Sequence, residues 1–153
     1  MTTTFDSKHI AEVQLIYATK VKPSDRPKIS NSRDSYEILK QTWNQDLIEL
    51  REEMKLLLLN TANRVLGIYV VSQGGVTGTH ADPRLIFSAA LTAKASSIIL
   101  AHNHPSGNLQ PSQADINLTK QCKQAGDLLE IKVIDHMILS VEGYYSFADE
   151  GLI

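Results

Sequence analysis

The chain has 153 residues, 42% of them apolar and 21% charged, which suits one globular domain with a sizeable core. A net charge of −2 gives no support for the basic face with which a dedicated duplex-DNA binder displaces counterions. The single cysteine, Cys122, excludes an internal disulfide and a multi-cysteine zinc site.

Apolar spacing in the first half of the chain predicts a strand, a helix and a hairpin. Residues 9–17 alternate with a period of two, which predicts a half-buried strand, and the proline-broken stretch 20–27 predicts a polar loop. Residues 32–43 carry apolar side chains at helical spacing. The apolar runs 54–59 and 65–71 flank a polar turn and predict a hairpin of buried strands.

The second half alternates helices with strands. We predict a glycine loop at 74–78, then a helix from Pro83 to about Ala95 with Asp82 as its cap. A buried strand over 98–101 and a loop over 102–110 lead to a helix over 112–125 that is closed by Gly126. A strand over 131–139 and a last short strand over 144–147 complete the chain order. This order predicts one α/β domain with a mixed sheet. We expect residues 1–30 to form an N-terminal strand and polar loop, and residues 31–153 the domain proper.

The compartment is expected to be the cytoplasm. No apolar run is long enough to span a membrane, so we expect no membrane contact. The first ten residues lack the basic and apolar regions of a signal peptide. A single cysteine also fits a reducing compartment.

Three candidate metal ligands stand close together in the sequence. His102 and His104 lie two residues apart at the exit of a buried strand, where an extended backbone points both imidazoles to one side. Asp115 lies one turn into the next helix, and the loop between them contains two prolines and a glycine that allow a tight fold. The three side chains can therefore converge on one ion.

Two histidines and one carboxylate are the three protein ligands typical of a catalytic zinc site, whose fourth position is kept for water. Zinc lowers the pKa of that water toward about 7, so we expect zinc as the cofactor and hydrolysis as the chemistry. Each residue alone has a simpler explanation. A histidine after a strand is usually a satisfied polar residue, and Ser112 with Asp115 forms a capping-box variant. The combined spacing favours the metal site.

The spacing of His102, His104, Ser112 and Asp115 is that of the JAMM (MPN+) metalloprotease motif. Around it the chain resembles the RadC-like JAB-domain proteins of bacteria over roughly residues 30–153. The segments that carry the resemblance are 60–67, 101–107, 111–116, 135–139 and 144–147. The resemblance implies an MPN (JAB) fold, with a mixed sheet flanked by helices in a cytidine-deaminase-like layering, and a zinc-dependent peptidase or isopeptidase-like activity.

Two departures from the wider family bear on the substrate. Asn103 stands where JAMM deubiquitinating enzymes usually have Ser or Thr, which argues against a ubiquitin-type substrate. Longer RadC proteins carry a helix-hairpin-helix DNA-binding region, for which we expect the first 30 residues here to be too short. We therefore expect a peptide or protein substrate and no strong DNA binding. The alternative is a DNA repair or maintenance accessory with a structural zinc site.

The JAMM pattern also needs an upstream glutamate as general base, and the candidates are Glu49, Glu52 and Glu53. In an extended strand Glu52 shares a face with apolar residues, whereas Glu53 shares the other face with Lys55 and is expected in solvent. Partial desolvation raises a carboxylate's proton affinity, so we assign the base to Glu52. By the family pattern, Ser112 stabilises the tetrahedral intermediate or holds the water; otherwise it is a plain helix cap.

The remaining candidates receive simpler interpretations. His9 is expected on the surface, and His80 is more typical of a loop residue than of a cleft residue. Asp135 and His136 could support a zinc ligand, but we favour a buried, hydrogen-bonded pair of structural value. Cys122 is expected to pack in the core.

Overall fold

The computed structural model describes residues 7–74 and 81–153. The helices are α1 (Ser32–Thr42), α2 (Pro83–Thr92) and α3 (Gln113–Leu129), and two short 3₁₀ turns span Ser7–His9 and Pro23–Asp25. The strands are β1 (Glu53–Leu59), β2 (Val65–Gln73), β3 (Ser97–Asn103), β4 (Lys132–Leu139) and β5 (Tyr144–Ser146). None of the helices among these residues is long and apolar enough to cross a membrane.

The five strands form one mixed sheet in the order β2-β1-β3-β4-β5. β1 pairs antiparallel with both β2 and β3, β3 pairs parallel with β4, and β4 pairs antiparallel with β5. The parallel pair is joined by α3, as a parallel connection requires a crossover. The predicted α/β class with a mixed sheet flanked by helices is confirmed.

Alternation along β1 sorts the core into two apolar clusters, one on each face of the sheet. Met54, Leu56 and Leu58 pack with side chains of α2 and α3, whereas Leu57 and Leu59 pack with side chains of α1. The strand is buried along its whole length, so its sequence is a nearly continuous apolar run. The same parity decides which polar side chains of the neighbouring segments face α3.

Local signals fix the helix starts. Asn31 caps α1 by accepting a hydrogen bond from the Asp34 N–H at 3.0 Å. Asp82 caps α2 by accepting from the Arg84 N–H at 2.9 Å, with Pro83 in the first turn. The α2 start therefore confirms the prediction made from the Asp82 and Pro83 pair.

The predicted strand over residues 9–17 is wrong. The segment starts with a 3₁₀ turn and then contains no strand, and the side chains of Val13 and Leu15 are 84% and 77% exposed. Only Tyr17 is half-buried, where its hydroxyl donates to the Leu66 carbonyl. Alternation makes a side-chain pattern suitable for a strand, but a strand also needs a partner for its ladder of hydrogen bonds. The division of the chain near residue 30 stays a prediction.

Ends of predicted elements also shift, and α2 ends at Thr92 rather than near Ala95. β3 continues through Asn103, so the loop starts later than predicted. α3 runs past Gly126 and ends at Leu129, and Glu130, with a φ of 56°, provides the left-handed cap. Gly126 instead lies where the helix touches the chain that follows it, because a Cβ atom there would stand 2.3 Å from the Ile131 carbonyl oxygen. The glycine permits a close approach of backbone rather than a turn.

We therefore expect Gly126→Ala to destabilise the fold by about 1–3 kcal/mol, since the added methyl group forces backbone apart. This loss should outweigh the gain of up to about 1 kcal/mol that alanine brings to a helix interior. The matched control is Gly143→Ala, whose Cβ would meet nothing closer than Leu109 at 3.8 Å. Urea unfolding followed by circular dichroism measures both, and equal midpoints would refute the packing role of Gly126.

Candidate metal centre

The register of β1 with β3 positions the candidate site. Met54 lies directly opposite His102 in this antiparallel pair, on the side of the sheet that α3 covers. Side chains two residues apart in an extended chain point the same way. Glu52 precedes Met54 by two residues, and His104 follows His102 by two, so all of them face the start of α3.

Four of the predicted side chains meet there. The Nε2 atoms of His102 and His104 are 3.0 Å apart. Asp115 reaches both imidazoles, with Oδ1 3.3 Å from His102 Nε2 and Oδ2 3.5 Å from His104 Nε2. Glu52 Oε1 lies 3.8 Å from His104 Nε2. Ligand atoms of Glu52, His102 and His104 all lie within 4.8 Å of one another, which makes them a possible metal-binding triad.

The chemistry of this donor set fits a metal ion. The Nδ1 of His104 lies 2.6 Å from the Asn108 carbonyl oxygen, which can only accept, so a neutral His104 carries its proton on Nδ1. Its Nε2 lone pair then faces the Nε2 of His102 at hydrogen-bonding distance. Two nitrogens and two carboxylates directed at one point form the environment that a divalent cation such as zinc prefers.

The carboxylate of Asp115 and the neighbouring imidazoles affect one another's pKa values. Burial would raise the pKa of Asp115, but the imidazoles of His102 and His104, each of which can donate to the carboxylate when protonated on Nε2, outweigh it and lower that pKa well below its usual range. The hydrogen bond with Asp115 raises the pKa of His104, while burial opposes the rise. Asp115 is therefore an anion at neutral pH and supplies the negative charge next to the imidazoles.

Ser112 forms the predicted capping box with Asp115. Its Oγ accepts a hydrogen bond from the Asp115 N–H at 3.1 Å, and its own N–H donates to Asp115 Oδ2 at 2.7 Å. The cap therefore holds the Asp115 carboxylate in place, while Oδ1 of the same carboxylate faces His102. Capping and a place at the candidate site therefore coexist in Asp115.

The family of this chain follows from comparisons with known proteins. The model of the RadC-like JAB domain family matches residues 29–152. The chain belongs to the RadC-like JAB domain family. A UPF0758 protein of Flavobacterium johnsoniae is 46% identical over 127 residues, which are 82% of this chain and 53% of that protein. A UPF0758 protein of Porphyromonas gingivalis is 45% identical over 130 residues, 84% of this chain and 56% of that protein.

A more distant UPF0758 protein, from Symbiobacterium thermophilum, is 35% identical over 144 residues, 94% of this chain and 60% of that protein. The chain thus spans about half the length of the curated relatives that it matches. The names of these relatives state no reaction. The comparisons establish the RadC-like family and leave the chemistry to be argued from the site.

Asn103, which stands between the two candidate histidine ligands, has a role that the sequence did not reveal. Its side chain is buried on the opposite face from the imidazoles. Its Nδ2 donates to the carbonyls of Ile48 and Arg51 at 2.8 and 2.9 Å, and its Oδ1 accepts from the Glu53 N–H at 2.8 Å. It thereby ties to β3 the segment that carries Glu52. The available signal was a polar residue at the end of a buried strand.

Glu53 is not in solvent, which corrects the sequence-based expectation. The residue is 6% exposed, and its Oε1 accepts from Arg51 at 3.0 Å and from Gln73 at 3.1 Å. Lys55 lies 3.6 Å from its Oε2 and donates to the Thr42 carbonyl at 2.7 Å. The strand parity behind the prediction was right, but α1 and the turn after it cover this face of the sheet, which alternation alone cannot show.

The neighbouring residues Asp135 and His136 contact different parts of the protein. Asp135 accepts from the Ser146 hydroxyl at 2.6 Å and the Ala148 N–H at 3.0 Å, which fastens the end of the chain to β4. His136 is completely buried, its Nε2 lies 2.8 Å from His102 Nδ1, and burial holds its pKa well below the usual value. One residue of the pair is thus structural, and the other contacts a candidate ligand.

The other single-residue predictions have clear outcomes. His9 is exposed, as expected, although in a 3₁₀ turn rather than a strand. Cys122 is buried in the cluster beneath α2 and α3, as expected, and burial raises the pKa of its thiol to about 12. His80 lies outside the described residues, as do Gly75 and Gly78 of the predicted glycine loop.

Two cavities border the candidate centre. One of about 310 Å³ is bounded by Glu52, His102 and Asp115 and extends along α3 past Leu118. The other, of about 300 Å³, is lined by His104. Its further lining residues are Ile48, Glu49, Pro105, Ser106, Gly107, Ser140, Val141 and Glu142. One cavity thus borders three of the candidate site residues, and the other borders His104 alone among them.

We expect Asn103→Ala to destabilise the protein by about 2–4 kcal/mol, because three buried backbone groups lose their partner. The control is Asn108→Ala, since the Asn108 side chain is exposed and, within residues 7–74 and 81–153, accepts a single bond, from the Gln110 N–H. Chemical denaturation compares the two. If both variants unfold at the same urea concentration, Asn103 does not tie the Glu52 segment to β3.

Proposed function

We propose that this RadC-like chain is a zinc-dependent hydrolase that cleaves an amide bond in a peptide or isopeptide-like substrate. His102, His104 and Asp115 would hold the zinc ion, and Glu52 would act as the general base. The single observation that carries the proposal is the convergence of both Nε2 atoms, 3.0 Å apart, on the two carboxylates.

The contacts favour Asp115 over Glu52 as the third ligand. The Asp115 carboxylate approaches both imidazoles, at 3.3 and 3.5 Å, and its orientation is fixed by the Ser112 N–H. Glu52 lies 3.8 Å from His104. Three protein ligands leave a coordination position for water, whereas four would close the site. We therefore keep Glu52 for proton transfer.

When bound, zinc supplies a Lewis acid that polarises the substrate carbonyl and lowers the pKa of water. The Glu52 side chain is 17% exposed and borders the larger cavity, so it can reach both the site and a molecule bound there. In our proposal its carboxylate takes the proton from the attacking water and passes it to the departing amine. A general base in this position contributes about 10²–10⁴-fold to rate.

Ser112 has the chemistry for a second role beside the cap. The bond from the Asp115 N–H uses a lone pair of Oγ, and the hydroxyl proton can still be donated. The hydroxyl lies at the N-terminus of α3, where backbone N–H groups favour negative charge. We propose that it stabilises the negative oxygen that develops as the amide is attacked.

The two cavities that border the centre support an extended substrate. Along α3, Met54 and Leu118 provide apolar surface, and Asn117 and Gln121 provide amides that can bond to a peptide backbone. An extended chain crossing from this cavity to the one beside His104 would pass Glu52 and Asp115. This arrangement suits hydrolysis within a chain.

We expect the protein to bind about one zinc ion per chain, measured by elemental analysis after gel filtration. His102→Ala or Asp115→Ala should reduce the occupancy strongly, because two ligands hold zinc far less tightly than three. The control is His9→Ala, which removes an exposed histidine from a 3₁₀ turn. Full occupancy of the His102 variant would show that the ligands are assigned wrongly.

Glu52→Gln should leave zinc content and folding intact and reduce hydrolysis by about 100-fold or more, since it removes only the base. Activity is measured as chelator-sensitive cleavage in a diverse peptide library. Glu12→Gln is the control, because it removes an equal charge from an exposed side chain that lines neither of the two cavities. Glu53→Gln should reduce stability, since Glu53 is buried, but leave the rate per folded molecule unchanged. Stoichiometric zinc with no cleavage by the parent protein would favour the alternative of a DNA-maintenance accessory with a structural zinc site.

A further inference from the structure

We propose that His136 and Thr119 are positioning residues that hold His102 in the tautomer with a lone pair on Nε2, ready to bind the metal. This inference rests on the metal site of the proposed function, but it concerns two residues outside the ligand set. It is carried by a chain of three hydrogen bonds in the buried space between β3, β4 and α3.

The three bonds connect groups shielded from water. His102 Nδ1 lies 2.8 Å from His136 Nε2, His136 Nδ1 lies 2.6 Å from Thr119 Oγ1, and Thr119 Oγ1 lies 2.7 Å from the Asp115 carbonyl oxygen. The residues His102, His136 and Thr119 are 1%, 0% and 3% exposed. Water cannot readily replace any of these bonds, so their donors and acceptors must match one another.

The direction of the bonds follows from the carbonyl at the end of the chain. A carbonyl oxygen only accepts, so the Thr119 hydroxyl donates its single proton to Asp115. The Thr119 oxygen must then accept from the Nδ1–H of His136. A neutral His136 with its proton on Nδ1 has a lone pair on Nε2, which accepts from the Nδ1–H of His102. His102 is left with an unprotonated Nε2 facing the metal site.

The opposite direction would disable the ligand. If His136 donated from Nε2, the Nδ1 of His102 would accept, and the proton of a neutral His102 would reside on Nε2. That proton would point at His104 Nε2, 3.0 Å away, where the metal is proposed to bind. Fixing the tautomer of a metal-binding histidine through its other nitrogen is a general way to raise affinity.

The ring of His136 is itself held in position. It stacks on Phe147 with centroids 4.7 Å apart and an interplanar angle of 18°. Its backbone N–H donates to Asp135 Oδ1 at 2.8 Å. Because β3 and β4 are parallel neighbours with Leu100 opposite His136, the ring faces the same side of the sheet as His102. The hydrogen-bonded chain from His102 through His136 and Thr119 to the Asp115 carbonyl is called the relay below. Its groups already lie at hydrogen-bonding distance from one another.

The relay also links the two proposed ligands to one helix turn. Asp115 directs its carboxylate toward His102 Nε2, at 3.3 Å, and its carbonyl toward Thr119. The same residue thus acts on both nitrogens of His102, directly on one and through Thr119 and His136 on the other. A shift of the first turns of α3 would disturb both proposed ligands together.

The test compares Thr119→Val with Thr92→Val. Thr92 makes the same bond to the carbonyl four residues earlier, from its Oγ1 to Ser88 at 2.7 Å, but on the exposed face of α2. Zinc affinity is measured by competition with a chromophoric chelator. We expect Thr119→Val to weaken zinc binding about 10–100-fold, the usual effect of losing such a partner, and Thr92→Val to leave it unchanged. Thr119→Ser, which restores the hydroxyl, should bind zinc nearly as the parent does.

A second measurement reads the tautomers directly. In protein labelled with ¹⁵N-histidine, at about pH 8, above the ordinary pKa of histidine, His136 should carry its proton on Nδ1 with and without zinc. His136→Phe keeps the stacking on Phe147 and removes both nitrogens, so it should also weaken zinc binding at least about tenfold.

Equal zinc affinities of the Thr119→Val and Thr92→Val variants would overturn the proposal, as would a proton on His136 Nε2. These results are distinguishable from failure of the proposed function. A parent protein that binds zinc but cleaves nothing loses the hydrolase assignment and retains the relay. A parent protein that binds no zinc loses the metal site, while the spectrum still reports the direction of the bonds.

Discussion

The antiparallel register of β1 and β3, with Met54 opposite His102, is the constraint on which the candidate site depends. Once these two residues are paired, alternation brings Glu52 and His104 to the same side of the sheet beyond the strand ends. A register shifted by one residue would turn His102 and His104 toward α1, together with the other side chains on their face of β3. The apolar residues of β1, buried on both faces, therefore fix the chemistry as well as the core.

The first turns of α3 provide the second part of the site. The capping box with Ser112 orients the Asp115 carboxylate, and the peptide carbonyl of the same residue anchors Thr119. A helix N-terminus also stabilises the negative charge that the proposed reaction would create. The Asp115 carboxylate thus serves both the helix cap and the proposed metal site, and the two roles are compatible.

The opposite face of the sheet supports the site without taking part in it. Asn103 and Glu53 point toward α1, where their buried polar groups bond to the segment between α1 and β1 and to residues of β1 and β2. That segment carries Glu52, so the position of the proposed base depends on bonds made on the other side of the sheet. Buried polar groups with all partners present give such a segment one conformation rather than several.

The sequence by itself determined the features that depend on near neighbours. His102 and His104 are two residues apart on one strand, and Asp115 is fixed by its own helix cap. Their spacing in the sequence was therefore enough to predict them as candidate metal ligands. Tertiary structure decided the rest, because partners distant in the chain are not encoded in local periodicity. The alternating segment 9–17 found no neighbouring strand, Glu53 was covered by α1, and His136 came to lie behind His102 only through the parallel pairing of β3 with β4.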